Sequence, residues 1–204
     1  MLPDRESTDY ANDAAHLPIA SVLADNGGAP AAATQEEAAV GYKLTQSGVV
    51  LNIRPATKHD ESVVIRLFSH VNAEDLRSRF GGTLQHVGAT EAAPLLGDGS
   101  TSRTLLAFTD DGTIVAAATL ADLPGTKTAE VALSVDAHWK GRGIAWTLLE
   151  HTLAYATAHG LTEVTSFEGG NERAAINLER EMGFVARLIS ASPVELSLKK
   201  NVAP

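Results

Sequence analysis

Val131 to Ala145, reading VALSVDAHWKGRGIA, constrains this chain more than any other stretch. An apolar, strand-like run ends at Asp136, a short turn follows, and Lys140-Gly141-Arg142-Gly143-Ile144-Ala145 leads into a helix-patterned segment, Trp146 to His159. In that segment Ile144/Ala145, Leu148/Leu149, Leu153 and Ala156 recur at helical spacing. The first N–H groups of a helix have no partner inside it, and the helix dipole adds positive potential at the same end. A glycine-rich loop lets a ligand approach those groups closely, and Lys140 and Arg142 stand beside them. The pattern predicts a strand–loop–helix unit that binds a phosphorylated ligand.

The type of loop narrows by elimination. The P-loop pattern G-x-x-x-x-G-K-[ST] is absent, and a dinucleotide fingerprint would need a third glycine where Trp146 stands. Lys140 to Ala145 resembles the Q/R-x-x-G-x-G/A loop that holds the CoA pyrophosphate in GNAT acetyltransferases. Taken alone, Gly141 and Gly143 would equally serve to shape a helix start. A second segment supports the resemblance. Glu163–Glu168 reads as a strand, and Asn171 to Phe184 as a helix closed by Gly183-Phe184. It is similar to the family's N-x-x-A-x-x-L-x-x-x-x-G-F signature through Ala175, Leu178 and Gly183-Phe184, with Asn171 one residue early and Glu172 in its place. Asn171 is also a suitable helix N-cap, and Gly183 stands where a left-handed C-terminal residue is wanted.

Composition excludes several classes. At 204 residues and 44% hydrophobic, the chain has enough apolar material for one substantial core. No apolar run approaches the ~18 residues of a membrane span, and the acidic start MLPDRESTDYAND is unlike a secretion signal. The absence of cysteine rules out disulfides and thiolate chemistry and fits a cytoplasmic protein. The seven histidines show no H-E-x-x-H or similar spacing, so no metal is expected. A net charge of −9 argues against nucleic acid. Residues 1–48 alone hold Asp4, Glu6, Asp9, Asp13, Asp25, Glu36 and Glu37 against Arg5 and Lys43. An acidic surface suits cationic acceptors such as amines, although solubility explains most acidic surfaces equally well.

Residues 1–46, rich in Ala, Asp, Gly and Ser, show no persistent period and read as a mobile or loosely docked extension. Residues 47–204 read as the folded domain. Val49 to Ala56 reads as its first strand, and Thr57-x-x-Asp60 as a capping box before SVVIRLFSHV. Asn72 is placed to cap AEDLRSRF, which stops at Gly81-Gly82, and a short helix is expected around Glu91 to Leu96. Arg103–Phe108 and Thr113–Leu120 flank the turn Asp110-Asp111-Gly112, and Thr128–Val135 follows as the next strand. Two final strands surround Ser192-Pro193. The order β-α-α-β-β-β-α-β-α-β-β is that of the GNAT fold: α/β (α+β), with a mixed, mostly antiparallel sheet of six to seven strands and about four helices. The resemblance implies splayed fourth and fifth strands, here Thr128–Val135 and Glu163–Glu168.

The likeness reaches beyond the two CoA motifs, over roughly residues 50–186. IRPATKHDESVVIRLFSHVNAEDLRSRFGG and AEVALSVDAHWKGRG are similar to bacterial protein lysine acetyltransferases that modify acyl-CoA synthetases. Lys, not Gln, opening the loop suits that branch. The resemblance therefore implies an acetyl-CoA-dependent N-acetyltransferase that moves an acetyl group to a protein lysine by direct attack in a ternary complex. A small amine (polyamine, amino acid or antibiotic) is the alternative acceptor, and a non-catalytic acyl-CoA sensor the alternative from another class. No nucleic-acid or membrane partner is implied, and a monomer or homodimer is expected.

Amine acetylation needs a base, because a free lysine of pKa ~10.4 is almost wholly protonated at neutral pH. The resemblance puts Glu130 in that role; its bland alternative is a solvated glutamate on a strand. Backbone N–H groups around Leu133, Ser134 and Val135 would meet the thioester oxygen. Lys140, Gly141, Arg142, Gly143, Ile144 and Ala145 would hold the pyrophosphate, and Asn171 would reach the pantetheine arm. Many GNAT enzymes carry a Tyr as acid four residues past the helix alanine; here that place is Glu179, which reads as surface charge. His138 and His151 carry no specific signal, and His159 before Gly160 suits a helix C-terminus. Arg77 and Arg79 are candidates for shaping the acceptor side; the bland alternative is exposed helix arginines with no specific role.

Overall fold

The computed structural model describes residues 40–80, 84–97 and 101–203. Most of the expected extension, and the Gly81-Gly82 helix stop, lie outside them. Among the described residues one eight-stranded sheet organises the fold, with β1 (Gly41–Leu44), β2 (Val50–Pro55), β3 (Ser102–Thr109), β4 (Ile114–Asp122), β5 (Thr128–Val135), β6 (Glu163–Gly169), β7 (Val185–Ala191) and β8 (Val194–Asn201). Their order is β1-β2-β3-β4-β5-β6-β8-β7. Every neighbouring pair is antiparallel except β5 and β6. The fold class is the one expected, but the sheet has one strand more. That strand, β1, falls inside residues 1–46; only four residues long, it shows no period of its own and is defined by its pairing to β2.

Five α-helices lie among the described residues: α1 (Glu61–Ser69), α2 (Ala73–Phe80), α3 (Ala89–Ala92), α4 (Ile144–Ala158) and α5 (Arg173–Glu181). Local chemistry sets several starts. Before α1 the capping box is present, with the Thr57 N–H donating to Asp60 Oδ2 at 2.8 Å and the Thr57 hydroxyl accepting from His59 N–H. Asn72 Oδ1 accepts the N–H of Asp75 at 2.8 Å at the start of α2. At the end of α4, His159 Nδ1 lies 2.8 Å from the Tyr155 carbonyl oxygen, and Gly160 follows with φ +78°.

Two apolar clusters sandwich the sheet. Under α4 and α5, Ile144, Leu148, Leu149, Ile176 and Phe184 pack on Leu51, Val131 and Val164. On the opposite face, α1, α2 and α3 contribute Leu67, Phe68, Leu76 and Ala92 against Leu106, Ile114 and Ala117. Each fully buried leucine contributes about 1.5–3 kcal/mol through burial, so the two layers hold the sheet rigid between them. β4, central and covered on both faces, is buried from Ile114 to Ala121. No helix among the described residues is long and apolar enough to cross a membrane.

Candidate active site

β5 and β6 separate soon after they meet. Their parallel ladder holds only Thr128↔Glu163, Ala129↔Val164 and Glu130↔Thr165. Beyond that point β5 stays with β4 as far as Val135↔Ala116, while β6 follows β8 as far as Gly169↔Glu195. Val131 to Val135 therefore have a partner strand on one edge only, and alternate backbone groups turn into the opening. The gap is the mouth of a cavity of about 330 Å³, lined by residues from both faces of the sheet.

Alternation along β5 settles which side chains face which way. Ala129, Val131 and Val135 belong to the core under α4, and Leu133 packs against it. Glu130, Ala132 and Ser134 consequently turn to the other face, toward α2. Glu130 lines the cavity and is 6% exposed. Burial pushes its carboxyl up to about 7, against the pull of the nearby Arg79 charge.

Arg79 corrects the sequence reading: it is 5% exposed, a buried wall of the cavity. Its Nη1 donates to the Ala132 carbonyl at 3.0 Å and to Ser134 Oγ at 3.4 Å, and Nη2 donates to Thr119 Oγ1 at 2.5 Å. Its guanidinium lies 5.3 Å from the Phe68 ring centroid. Burial lowers its pKa to about 10, which leaves it charged. A signal was present, because Leu76, Arg79 and Phe80 share one face of α2 at i, i+3 and i+4.

On the α4 and α5 side, Glu168 and Glu179 line the same cavity. Glu179 is 6% exposed, not the surface charge expected. The Ser166 hydroxyl donates to its Oε2 at 2.5 Å, and burial raises its carboxyl to about 7 against that bond. Glu168 rises further, to about 9, through burial and then the charges of Glu179, Glu172 and Asp75. The spacing offered a clue here too: Glu179 lies three residues past buried Ile176 and four past Ala175, another cavity residue.

At the far end, Gly141, Gly143, Ile144 and Ala145 line the cavity. Gly141 and Gly143 both hold φ +74°, in the left-handed region, and no side chain caps α4. The first N–H groups of a 15-residue helix are therefore open to an anion. The β1–β2 turn buttresses this loop: Ser47 Oγ donates to the Arg142 carbonyl at 2.6 Å, and a Cβ on Gly143 would stand 3.5 Å from Gln46 N and Thr45 Cβ. Residues read as a mobile extension thus border the site.

Three expected ligand residues sit differently. Lys140 lines the cavity, but its Nζ is paired with Asp75 Oδ2 at 2.6 Å. Arg142 is outside the lining, stacked 4.6 Å from the Trp139 ring centroid. Asn171 is also outside it: its Nδ2 donates to Glu74 Oε1, and the N-cap of α5 is Glu172, which does line the cavity. The one-residue slip in the second signature thus reappears in three dimensions. Leu133 and Val135 border the cavity, whereas Ser134 is buried against Arg79.

Residues 73–184, more than half of the chain, match the model of the acetyltransferase (GNAT) family. The chain belongs to that family. The GNAT assignment agrees with fold comparison. The chain is similar to the GNAT domain of S. lividans PAT, with TM-score 0.73, 22% identity, and coverage of 79% of this chain and 96% of that one. It is also similar to spermidine N-acetyltransferase from Vibrio cholerae in complex with CoA and spermine (TM-score 0.61, 16% identity, 74% and 95% covered). A third likeness is to the ribosomal-protein-S18-alanine N-acetyltransferase from Escherichia coli (TM-score 0.60, 15% identity, 76% and 95% covered). No curated protein shows significant sequence similarity to the chain. GNAT enzymes use acetyl-CoA, and the features above fit such a ligand: an uncapped helix start beside left-handed glycines, joined by a cavity to a gap between strands.

Proposed function

We propose that this GNAT protein transfers an acetyl group from acetyl-CoA to a primary amine, with a protein lysine as the acceptor. The observation that carries the reading is the buried carboxyl of Glu130 where β5 and β6 part, in a cavity that runs to the uncapped start of α4. When bound there, acetyl-CoA supplies the activated acyl carbon. Ile144, Ala145 and the glycine loop bind its phosphates through backbone N–H groups. Alternate N–H groups on the open edge of Val131–Val135 hydrogen-bond the thioester oxygen as negative charge collects on it.

Glu130 accepts a proton from the incoming ammonium, leaving a neutral amine to attack. A carboxyl at about 7 is ionised for much of the time near neutrality and is a stronger base than an ordinary glutamate. Arg79 keeps that carboxylate from rising further. Attack forms the C–N bond and a tetrahedral centre whose nitrogen releases its second proton to solvent. The C–S bond then breaks, and across the gap Glu179, its carboxyl oriented by Ser166, delivers a proton to the departing sulfur and regains one from solvent as Glu130 returns its own. Base and acid then stand on opposite faces of the sheet, which keeps the proton taken from the amine apart from the proton given to sulfur.

The likeness of residues 50–186 to bacterial protein lysine acetyltransferases, beyond the two CoA motifs, supports a protein acceptor. One observation favours a small cationic amine instead: the carboxyls of Asp75 and Glu172 border the cavity besides Glu130. Incubation with labelled acetyl-CoA, an acyl-CoA synthetase panel and an amine library separates the two. Label on a synthetase lysine establishes the first reading, and label on small amines alone replaces it with the second. Retained acetyl-CoA binding without transfer would leave a sensor.

A further inference from the structure

Outside the cavity, three side chains from two distant parts of the chain converge on one point. His70 ends α1, and Asp136 and His138 belong to the turn that follows β5. His70 Nδ1 lies 3.0 Å from Asp136 Oδ2, and His138 Nδ1 lies 3.0 Å from Asp136 Oδ1. The ligating atoms of the three residues are all within 4.8 Å of one another. We propose that His70, Asp136 and His138 form a binding site for a divalent transition metal of the Zn2+ class.

The donor set suits such an ion: two imidazoles and a carboxylate satisfy borderline-soft divalent metals and leave at least one coordination position open. The spacing suits it as well. Ligands about 2.0–2.2 Å from a metal, subtending about 90–109°, stand roughly 2.9–3.4 Å apart; His70 Nδ1 stands 3.0 Å from Asp136 Oδ2 and His138 Nδ1 3.0 Å from Asp136 Oδ1, so the carboxylate would turn both oxygens to the ion. Each imidazole would present its Nδ1 lone pair and keep its proton on Nε2. The exposure of the side chains, 49% for His70 and 78% for His138, provides entry and freedom to close the remaining distance between the two rings.

The frame beneath the cluster is already built. The Ala137 N–H donates to the His70 carbonyl at 3.0 Å, and the Asp136 N–H donates to the Val115 carbonyl at 2.9 Å. The His138 N–H donates to Asp136 Oδ1 at 2.8 Å, orienting the carboxylate as outer hydrogen bonds orient metal ligands. Charge argues the same way. Asp136 is buried, and its ion-pair partners among the described residues are these two histidines, with no lysine or arginine. A dication held by the three would balance a buried carboxylate. The site is separate from the cavity, which none of the three lines, although the neighbouring Trp139 does.

The test is equilibrium dialysis of the chelator-stripped full chain against Zn2+, with Co2+ absorption as the spectroscopic probe. One equivalent bound at about 10 µM or tighter, weakened by at least about tenfold in both His70→Ala and His138→Ala, is the expected result. Both substitutions are at exposed positions, and thermal melts of the metal-free variants establish that they fold. Asp136→Asn, measured in parallel, should abolish the visible Co2+ bands while leaving both imidazoles in place. Absence of binding below about 1 mM overturns the proposal, as does one equivalent that survives both histidine substitutions.

Discussion

Replacing Glu130 with Gln tests the proposed chemistry at its centre. The substitution keeps the volume and a polar end in a position that is 6% exposed, so the surrounding packing persists. It removes the negative charge that raises Arg79, which retains its bonds to Ala132, Ser134 and Thr119. What is lost is the proton acceptor. At pH 7.4 a lysine of pKa ~10.4 is neutral only about one time in a thousand, and positioned bases contribute ~10²–10⁴ in rate. A fall in kcat of about 10²–10³ is therefore expected, equivalent to ~2.7–4.1 kcal/mol of barrier. The pH profile adds a second criterion. The acting form is the carboxylate, so wild-type kcat/KM should decline as pH falls through about 7, and that limb should vanish in the variant. Steady-state kinetics from pH 5.5 to 9 (roughly, spanning the carboxyl and the amine) and calorimetric acetyl-CoA binding supply both readouts. A variant that retains more than about a tenth of wild-type kcat, or keeps the limb near 7, would refute Glu130 as the base.

Glu179→Gln preserves an acceptor for the Ser166 hydroxyl but carries no acid proton; kcat should drop by ~10–100-fold with acetyl-CoA affinity unchanged, and an unaltered kcat removes Glu179 from the reaction. Glu168 is raised to about 9 in the folded chain from an ordinary value near 4.5, so its contribution to stability is fully present below about 4.5 and is lost as pH rises toward 9. Glu168→Gln should therefore melt higher than wild type at pH ~8.5 and alike at pH ~4.5; a lower melting point at the alkaline pH contradicts the burial argument. Gly143→Ala forces a side chain into φ +74° beside Thr45 and Gln46, with a conformational penalty of about 1–2 kcal/mol. Acetyl-CoA affinity should weaken by about fivefold or more, measured by calorimetry, and unchanged affinity would dissociate the loop from the ligand.

Much of the architecture was legible in the sequence because it is written in near-neighbour relations. The 3.6-residue spacing along Ile144 to Ala156, the Thr57/Asp60 capping box, the Asn72 cap and the Asp110-Asp111-Gly112 turn act over a few residues. Each was read correctly from sequence. The glycine loop and the alternation that turns Glu130 away from Val131 have the same local origin. β1 escaped notice because four residues cannot display a period. Arg79 and Glu179 were misread for a different reason: a charge on a helix is exposed by default, and only its companions on the same face, Leu76 and Phe80 or Ala175 and Ile176, say otherwise.

The sequence by itself determined the family and the succession of elements after β1, and it offered the glycine loop as the phosphate binder and Glu130 as the base. Tertiary structure decided the environment in which each of those residues acts. β6 leaves β5 after three pairs, while β8 follows its other edge along the full length of the strand. The gap places Glu130 and Arg79 on one face of the sheet and Glu168 and Glu179 on the other, and burial there raises all three carboxyls. Asn171 turned to Glu74, Lys140 to Asp75, and His70 met Asp136 across 66 residues of chain, with His138 beside it. Periodicity, caps and turns depend on residues a few positions apart, whereas desolvation, charge pairing and ligand geometry depend on distances that exist only once the sheet has assembled.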